Sequence, residues 1–415
     1  MPARLRFVAT ILALGVLFGS PVQTPAAAPG GATEKPPLLS ASTILPKAIL
    51  IGPNHGVDDK VKNDGYMNIY TLHSPKGDLR VVSTARLYAA IHELDAAAAM
   101  DKVNKGGQFG KSLAKSGVDT VKGAVNLVIH PIDSISGAAS GVGKAFSRTQ
   151  ASMQDRRPKD DDGAAGELLG YNQAKRDTAK TFGVDPYSKN PILQTSLKKL
   201  VGAGFAGSLT GAAAKVAIPG GVGIAVSAVS ETNALKNIDV ATPPEDLFQA
   251  NRERLKTMGA TTDMADLFVE NHHFTPTEQT RLVMALDRMT GIGGRPLFIN
   301  LCILTDDDDL AFFRTRMAEL YENINVTSDR LDHFVMAGKF LAATTATGGF
   351  LVAYPLDYLA WTPTMAGIAK NFAAAAQKSG AKTKKLVVSG AVSPLAAKML
   401  QAGGWTVVQL REGLR

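Results

Sequence analysis

The sequence predicts an α+β fold, predominantly helical, with an N-terminal hairpin plus helices, a Gly/Ala-rich helical middle and a small C-terminal α/β unit. Three observations carry this expectation. Met67–Leu72 and Leu79–Thr84 alternate around the turn Pro75-Lys-Gly-Asp78, as a half-buried hairpin does. Several stretches from Ala85 onward space their apolar residues by three and four, the period of a helix with one buried face. Leu386–Ser389, Pro394–Gln401 and Trp405–Leu410 read as strand, helix and strand, which a right-handed crossover closes with the strands parallel.

Taken from the start, Met1 to about Ala26 reads as a cleavable secretory signal peptide. Arg4 and Arg6 precede the apolar stretch Phe7–Phe18, and small residues and prolines follow. That stretch is shorter than the roughly 20 residues a bilayer span takes. A cut after Thr24-Pro-Ala26 avoids leaving Pro29 at the new terminus, as a cut after Ala28 would. Residues 27–46, rich in Pro, Ala, Gly, Ser and Thr, are expected to be a flexible linker. Residues 47–150 hold the hairpin, a helix over Ala85–Val103 facing inward through Leu87, Ile91, Leu94 and Ala98, and two amphipathic helices meeting at His130-Pro131. The charged run Gln154–Gly163 marks a domain boundary.

A helical domain is expected over 164–299. It opens with a helix at Glu167–Phe182 and the punctuated stretch Gly183–Pro191. The segment 200–229 has one charged residue, Lys215, among Gly, Ala and Val. Helices over Pro244–Met258 and Pro276–Met289 follow, each introduced by a threonine able to cap exposed amides. An α+β domain over 300–415 starts with a helix at Asp307–Glu322. Strands over Phe334–Ala342 and Phe350–Tyr354 are joined through Thr344–Gly349, and a helix over Pro363–Gln377 leads to the closing strand, helix, strand unit.

Composition bounds the chemistry. The 415 residues are 45% hydrophobic and 20% charged, which argues for folded domains rather than global disorder. Removing Arg4 and Arg6 from the 45 Lys and Arg leaves 43 against 37 Asp and Glu, a net charge of +6. Spread over this length, and with aromatics at 6%, that charge argues against nucleic acid as a partner. A membrane surface or a partner protein remains compatible. Cys302 is the only cysteine, so there is no intrachain disulfide and no cysteine near the cut to carry a lipid.

The motifs that could carry chemistry are incomplete. Gly202-Ala-Gly204-Phe-Ala-Gly207 has dinucleotide-fold spacing, but Gln194–Leu200 before it reads as helix where a strand must feed the turn. Close helix packing is the better reading, because Ala203, Gly207 and Gly211 recur every fourth residue. A buried soluble core is favoured there over a bilayer hairpin, since Lys215 and the short second arm, Val222–Val229, suit a membrane poorly. Gly106–Ser112 ends like a phosphate-binding loop but has Lys105 where the first glycine belongs, so no nucleotide is expected. Ser112/Lys115 and Ser196/Lys199 match a loose S-x-x-K spacing without its companion K-T-G, since Lys384 follows Lys382-Thr383.

No metal is expected. His92-Glu93 begins like H-E-x-x-H, but Ala96 occupies the second histidine position. His272 and His273 would point apart on a helix, and Asp306–Asp309 lacks the alternating ligands and glycine of a calcium loop. The aspartates fit a helix start better. Asn54, His55, Asp58, Asp59 and Asp64 form the densest polar cluster near the mature start, which reads as a solvated turn in preference to an acid–base site.

His73–Thr84, Leu127–Asp133 and Gly183–Ser188 resemble blocks in a group of exported bacterial proteins with no established activity. The resemblance spans most of the mature chain. It implies export and transfers no site residue, substrate or cofactor. The helix, His-Pro, helix section also resembles the pre-toxin regions of secreted polymorphic toxins, at the level of fold.

The sequence therefore points to an envelope-associated, non-enzymatic protein located in the periplasm or secreted. Its helices at 112–147 and 200–229 would pack with membrane or partner helices. The alternative is a secreted enzyme or toxin with its centre in the C-terminal domain, at the strand end Ser389-Gly390. Catalytic residues are not identified, and no cofactor is expected.

Overall fold

The computed structural model describes residues 32–105, 170–202 and 238–410. The expected signal peptide, the two amphipathic helices expected within 106–147, the expected boundary at 154–163 and nearly all of 200–229 lie outside the described residues. Those described form a mixed α+β fold of 12 helices and three sheets.

The N-terminal sheet is larger than the expected hairpin. Strands β1 (Leu38–Ser40), β2 (Ile51–Gly52), β3 (His55–Val57), β4 (Lys60–Asn63), β5 (Asn68–His73) and β6 (Leu79–Val82) are all antiparallel, in the order β1-β4-β5-β3-β2 with β6 on the other edge of β5. The linker expectation is corrected over its last part. Leu38–Ser40 pairs with β4, and the short helices α1 (Ala41–Ile44) and α2 (Lys47–Leu50) follow, because Ala41, Leu45 and Ile49 bury apolar surface amid the Pro/Ser-rich composition. Asp59 fastens this entry by accepting hydrogen bonds from Ser40 Oγ and Ser42 N.

Helix α3 (Thr84–Lys105) has two buried faces. Leu87, Ile91 and Leu94 pack on Tyr70, Leu72 and Val81 of the sheet. Ala96, Met100 and Val103 pack on α4 (Tyr171–Thr181) and α5 (Pro191–Gly202) through Phe182, Leu193 and Leu197. Ala98 is only half-buried between them.

Helices α6 (Pro244–Thr257), α7 (Thr262–Val269), α8 (Pro276–Arg288), α9 (Arg295–Ile303) and α10 (Asp308–Thr327) form the next layer. Thr275 caps α8 in a reciprocal capping box with Glu278. The expected threonine cap of α6 is corrected: Pro243 holds the cap position, since Thr242 falls one residue too early. Two short helices, α7 and α9, were not expected from the sequence. Thr261 caps α7, accepting from Met264 N.

The C-terminal sheet has the order β13-β11-β9-β8-β7. The expected strand Phe334–Ala342 is instead a hairpin, β7 (Leu331–Ala337) and β8 (Phe340–Thr345). It turns at Gly338-Lys339, where Gly338 takes a φ of 65° that a side chain would strain. Strands β9 (Gly349–Tyr354), β11 (Thr383–Val388) and β13 (Trp405–Gln409) are mutually parallel, connected by α11 (Pro363–Lys378) and α12 (Pro394–Ala402). β10 (Tyr358–Leu359) and β12 (Ala391–Val392) form a small parallel pair.

Alternation along β9 assigns its two faces. Leu351 and Ala353 join the core with Phe334 and Tyr321 on the α10 side, whereas Phe350 and Val352 join Phe372 and Trp405 on the α11 side. Both faces being covered explains why Phe350–Ala353 reads as a continuous apolar run.

Asp357 ties this sheet to the N-terminal one. Its carboxylate accepts the Asn68 N–H at 2.9 Å and the Thr84 N–H at 3.1 and 3.0 Å, while its own N–H donates to Tyr66 O. Gly390 packs so closely that a Cβ there would stand 1.9 Å from Asp357 O. Gly390→Ala is therefore expected to cost about 3 kcal/mol by forcing the clasp open, read as a lowered midpoint in urea unfolding.

Candidate functional site

A cleft of about 220 Å³ opens where the N-terminal unit meets the helical layer. Its walls are β6, one stripe of α3, the turn 183–190, the first turn of α8 and the start of α10. On α3 the stripe is Arg86, Ala89, Ala90 and Glu93, one heptad with charged ends and small residues between them.

The turn is tied on both sides. His92 Nε2 lies 3.0 Å from Gly183 O, and Asn190 Nδ2 donates to Glu93 Oε2 at 2.9 Å, both on α3. From α8, Thr277 Oγ1 donates to Asp185 Oδ1 at 2.9 Å, and the same oxygen accepts the Tyr187 N–H at 2.9 Å. Lys189 Nζ reaches Asp308 at 2.7 Å and donates to His273 O at 2.7 Å.

Each cation at the cleft has an acid. Arg80 lies 3.5 Å from Asp309, Arg86 lies 3.1 Å from Glu278 and over the Phe312 ring, and Lys189 holds Asp308. Arg281 grips Glu319 through two hydrogen bonds of 2.8 and 3.0 Å. Burial opposes ionisation of Glu319, yet the Arg281 and Arg316 guanidiniums hold its carboxyl below the usual glutamate range.

Glu93 and Asp185 are different: among the described residues neither has an ion-pair partner. Burial raises the Glu93 carboxyl above the ordinary range despite hydrogen bonds from Ser188 and Asn190 and the field of Arg86. Burial also pushes Asp185 up to about 7, and the neighbouring Glu278 and Glu93 charges add to this against the bonds from Tyr187 and Thr277. Two carboxyls whose affinity for the proton is raised by burial, Asp185 up to about 7, thus line one cleft.

The residues singled out from the sequence have other placements. His92 and Glu93 line the cleft, and Ala96 instead packs in the core with α4 and α5. His55 is buried in β3, not in a solvated turn, because its ring packs against Gly52 and its Nε2 lies 3.2 Å from Ile49 O. Asn54 donates to Asp95, Asp58 bonds His73, and Asp64 accepts Tyr66 and Met67 amides, so the polar cluster is dispersed into separate supports.

His272 and His273 lie in a turn with their rings 4.4 Å apart, correcting the expectation that they diverge on a helix; His273 Nδ1 lies 2.8 Å from Asp308. Asp307 caps α10 by accepting the Leu310 N–H, the role expected of the aspartate run. Among the described residues, no group of three or more His, Cys, Asp or Glu is placed to hold a metal ion.

Ser196 is buried and Lys199 exposed, so the S-x-x-K pair diverges. Ser196 Oγ instead accepts from Lys76 Nζ at 2.8 Å, with Asp101 2.6 Å from the same ammonium. Gly202 ends α5, whose helix occupies the place where a strand would feed a dinucleotide loop; Gly204 and Gly207 lie outside the described residues, as do Ser112 and Lys115. Ser389 Oγ donates to Leu356 O at 3.0 Å, beside the packed Gly390. Burial pushes the Cys302 thiol up to about 12, so it is an inert core group.

Sequence reasoning missed Asp185, Glu278 and Arg86. Gly183–Pro191 reads as punctuation and Glu278 lies inside a helix whose expected cap is a threonine, and only the Arg86-to-Glu93 heptad gives a local signal of a polar stripe beside the Leu87 face. The site defines a mixed α+β protein with a carboxyl-bearing cleft between its layers. Comparison with protein-family models, curated proteins and solved structures finds no match to the chain.

Two outcomes follow from these carboxylates. Asp185 is raised from 3.8 to about 7 on folding, so the folded state binds the extra proton between those values. The stability this confers is full below about pH 4 and lost by about pH 7, amounting to at most about 4 kcal/mol. Asp185→Asn should flatten that part of the stability–pH curve in urea titrations and leave the protein more stable than wild type at pH 8. Glu319→Gln removes the carboxylate between Arg281 and Arg316 and is expected to cost about 3–5 kcal/mol in the same measurement.

Proposed function

We propose that the chain is an exported, envelope-associated binding protein, non-enzymatic, whose ligand site is the cleft between α3, the 183–190 turn and α8. The observation that carries this reading is the convergence of Glu93 and Asp185, neither of them ion-paired among the described residues, on one cavity whose cations all have acids. Partly desolvated acids without an ion-pair partner cost stability, so keeping them in a cleft fits groups retained for what they contact rather than for the fold.

The remaining parts of the reading come from the sequence. Residues 1–26 direct export, and the small-residue spacings within 112–147 and 200–229 suit helices that pack with a membrane or with partner helices. In this arrangement an N-terminal hairpin unit and a small C-terminal α/β unit flank a Gly/Ala-rich helical middle.

Ala89 lines the cleft, so Ala89→Phe fills it. A screen of envelope solutes by thermal denaturation should find one that stabilises the wild type, by about 2.7 kcal/mol at a hundred times its Kd, and leaves the filled variant unmoved. A solute that stabilises both equally places the ligand elsewhere. Flotation with anionic vesicles tests the membrane contact: protein that stays at the bottom with and without lipid removes the membrane and leaves a partner protein.

A further inference from the structure

The chemistry of the cleft narrows its ligand. Asp185 Oδ1 already accepts two hydrogen bonds, from Tyr187 N and Thr277 Oγ1, and its other oxygen receives none from the described residues. Glu93 accepts from Asn190 through Oε2. With Arg80, Arg86, Lys189 and Arg281 each paired with another acid, neither of these two carboxyls has a cation at ion-pair distance among the described residues. Beside them the wall is aliphatic and aromatic, formed by Leu79, Val81, Ala89, Ala90, Val184 and Phe312.

We propose that the cleft binds the protonated end of a primary alkylamine, the ammonium shared by Glu93 and Asp185 and the aliphatic stem lying along Leu79, Val81 and Ala90. A lysine side chain of a partner or a free diamine both present this chemistry. The inference rests on the reading of the cleft as the ligand site. An ammonium brings three N–H donors to carboxyl oxygens and to the Ser188 hydroxyl, which also lines the cleft. A quaternary amine offers no donor. A metal ion would need a third protein ligand that the described His, Cys, Asp and Glu do not supply.

Binding must displace the proton that Asp185 holds at neutral pH. Affinity for the amine should therefore be about tenfold tighter at pH 8 than at pH 6, as the ionised fraction of a group titrating near 7 rises.

The test is calorimetric titration of the intact protein with n-butylammonium, n-butyrate, n-butanol and Mg²⁺ in turn, with hydrogen exchange followed over 183–190. The expected result is binding of n-butylammonium with slowed exchange in that turn, the tenfold pH dependence, and loss of binding in Asp185→Asn. Glu93→Gln should weaken it too, which keeps the test decisive if one variant fails to fold. An amine affinity independent of pH overturns the assignment, as does Mg²⁺ competing with the amine for the turn. If n-butyrate or n-butanol protects the turn and the amine does not, the amine is wrong while the cleft remains a ligand site. If no probe alters the turn, the cleft reading falls with it.

Discussion

The carboxylate of Asp357 fixes the relation between the two halves of the fold. It accepts the amides that begin β5 and α3, Asn68 and Thr84, and so aims a strand and a helix from a residue that sits between β9 and β10. An ionised acid bonded to exposed amides at a helix start is favourable both as a hydrogen-bond acceptor and through the helix dipole. Ser83, just before that helix, has a φ of 84° and donates its amide to Asn68 O. The strain of a non-glycine residue there is tolerated because both neighbours are held. Once α3 is aimed, its sides are assigned: Leu87 and Ile91 to the sheet, Ala96 and Met100 to α4 and α5, and the Arg86-to-Glu93 stripe to the cleft.

The cleft is thus a product of layer placement. Glu93 comes from α3, Asp185 from a turn after α4 and Glu278 from a helix cap, and each also has a local structural duty. Asp185 orders its own turn through the Tyr187 amide, and Glu278 completes the α8 capping box while pairing with Arg86. What differs among the three acids is the counter-charge. Glu278 has a guanidinium at 3.1 Å, whereas the hydrogen bonds to Glu93 and Asp185 come from neutral donors and Arg86 acts on Glu93 only through its field. Neutral donors lower a buried carboxyl less than a cation does, which is why those two retain protons upward of the usual range.

Much of the regular structure was legible from period alone. The β5–β6 hairpin alternates, α3 repeats its apolar residues at Leu87, Ile91 and Leu94, and Trp405–Gln409 follows a helix closed by Gly403-Gly404. The strands of two to four residues, β1 to β4, were not legible, because so short a run carries too few positions to establish alternation. The division of Leu331–Thr345 into two strands turned on Gly338, a single residue inside an apolar run. Helix α9 was hidden because its apolar residues are nearly continuous and lack a polar face to set a period. The site was the least legible part, since its acids are far apart in sequence and each fits a local role.

Glu34 adds a constraint on the order in which the chain can assemble. Its amide donates to Trp361 O, and its carboxylate accepts from Trp361 N and Ser393 Oγ, so it fastens the first described residues to two of the last elements. Such contacts close loops of 327 and 359 residues and return little until both ends of them are present. A ribosome would release Glu34 more than three hundred residues before its partners. The strap at Glu34 therefore docks only after Trp361 and Ser393 have been made, which keeps the nascent chain open for longer than its local helices would suggest.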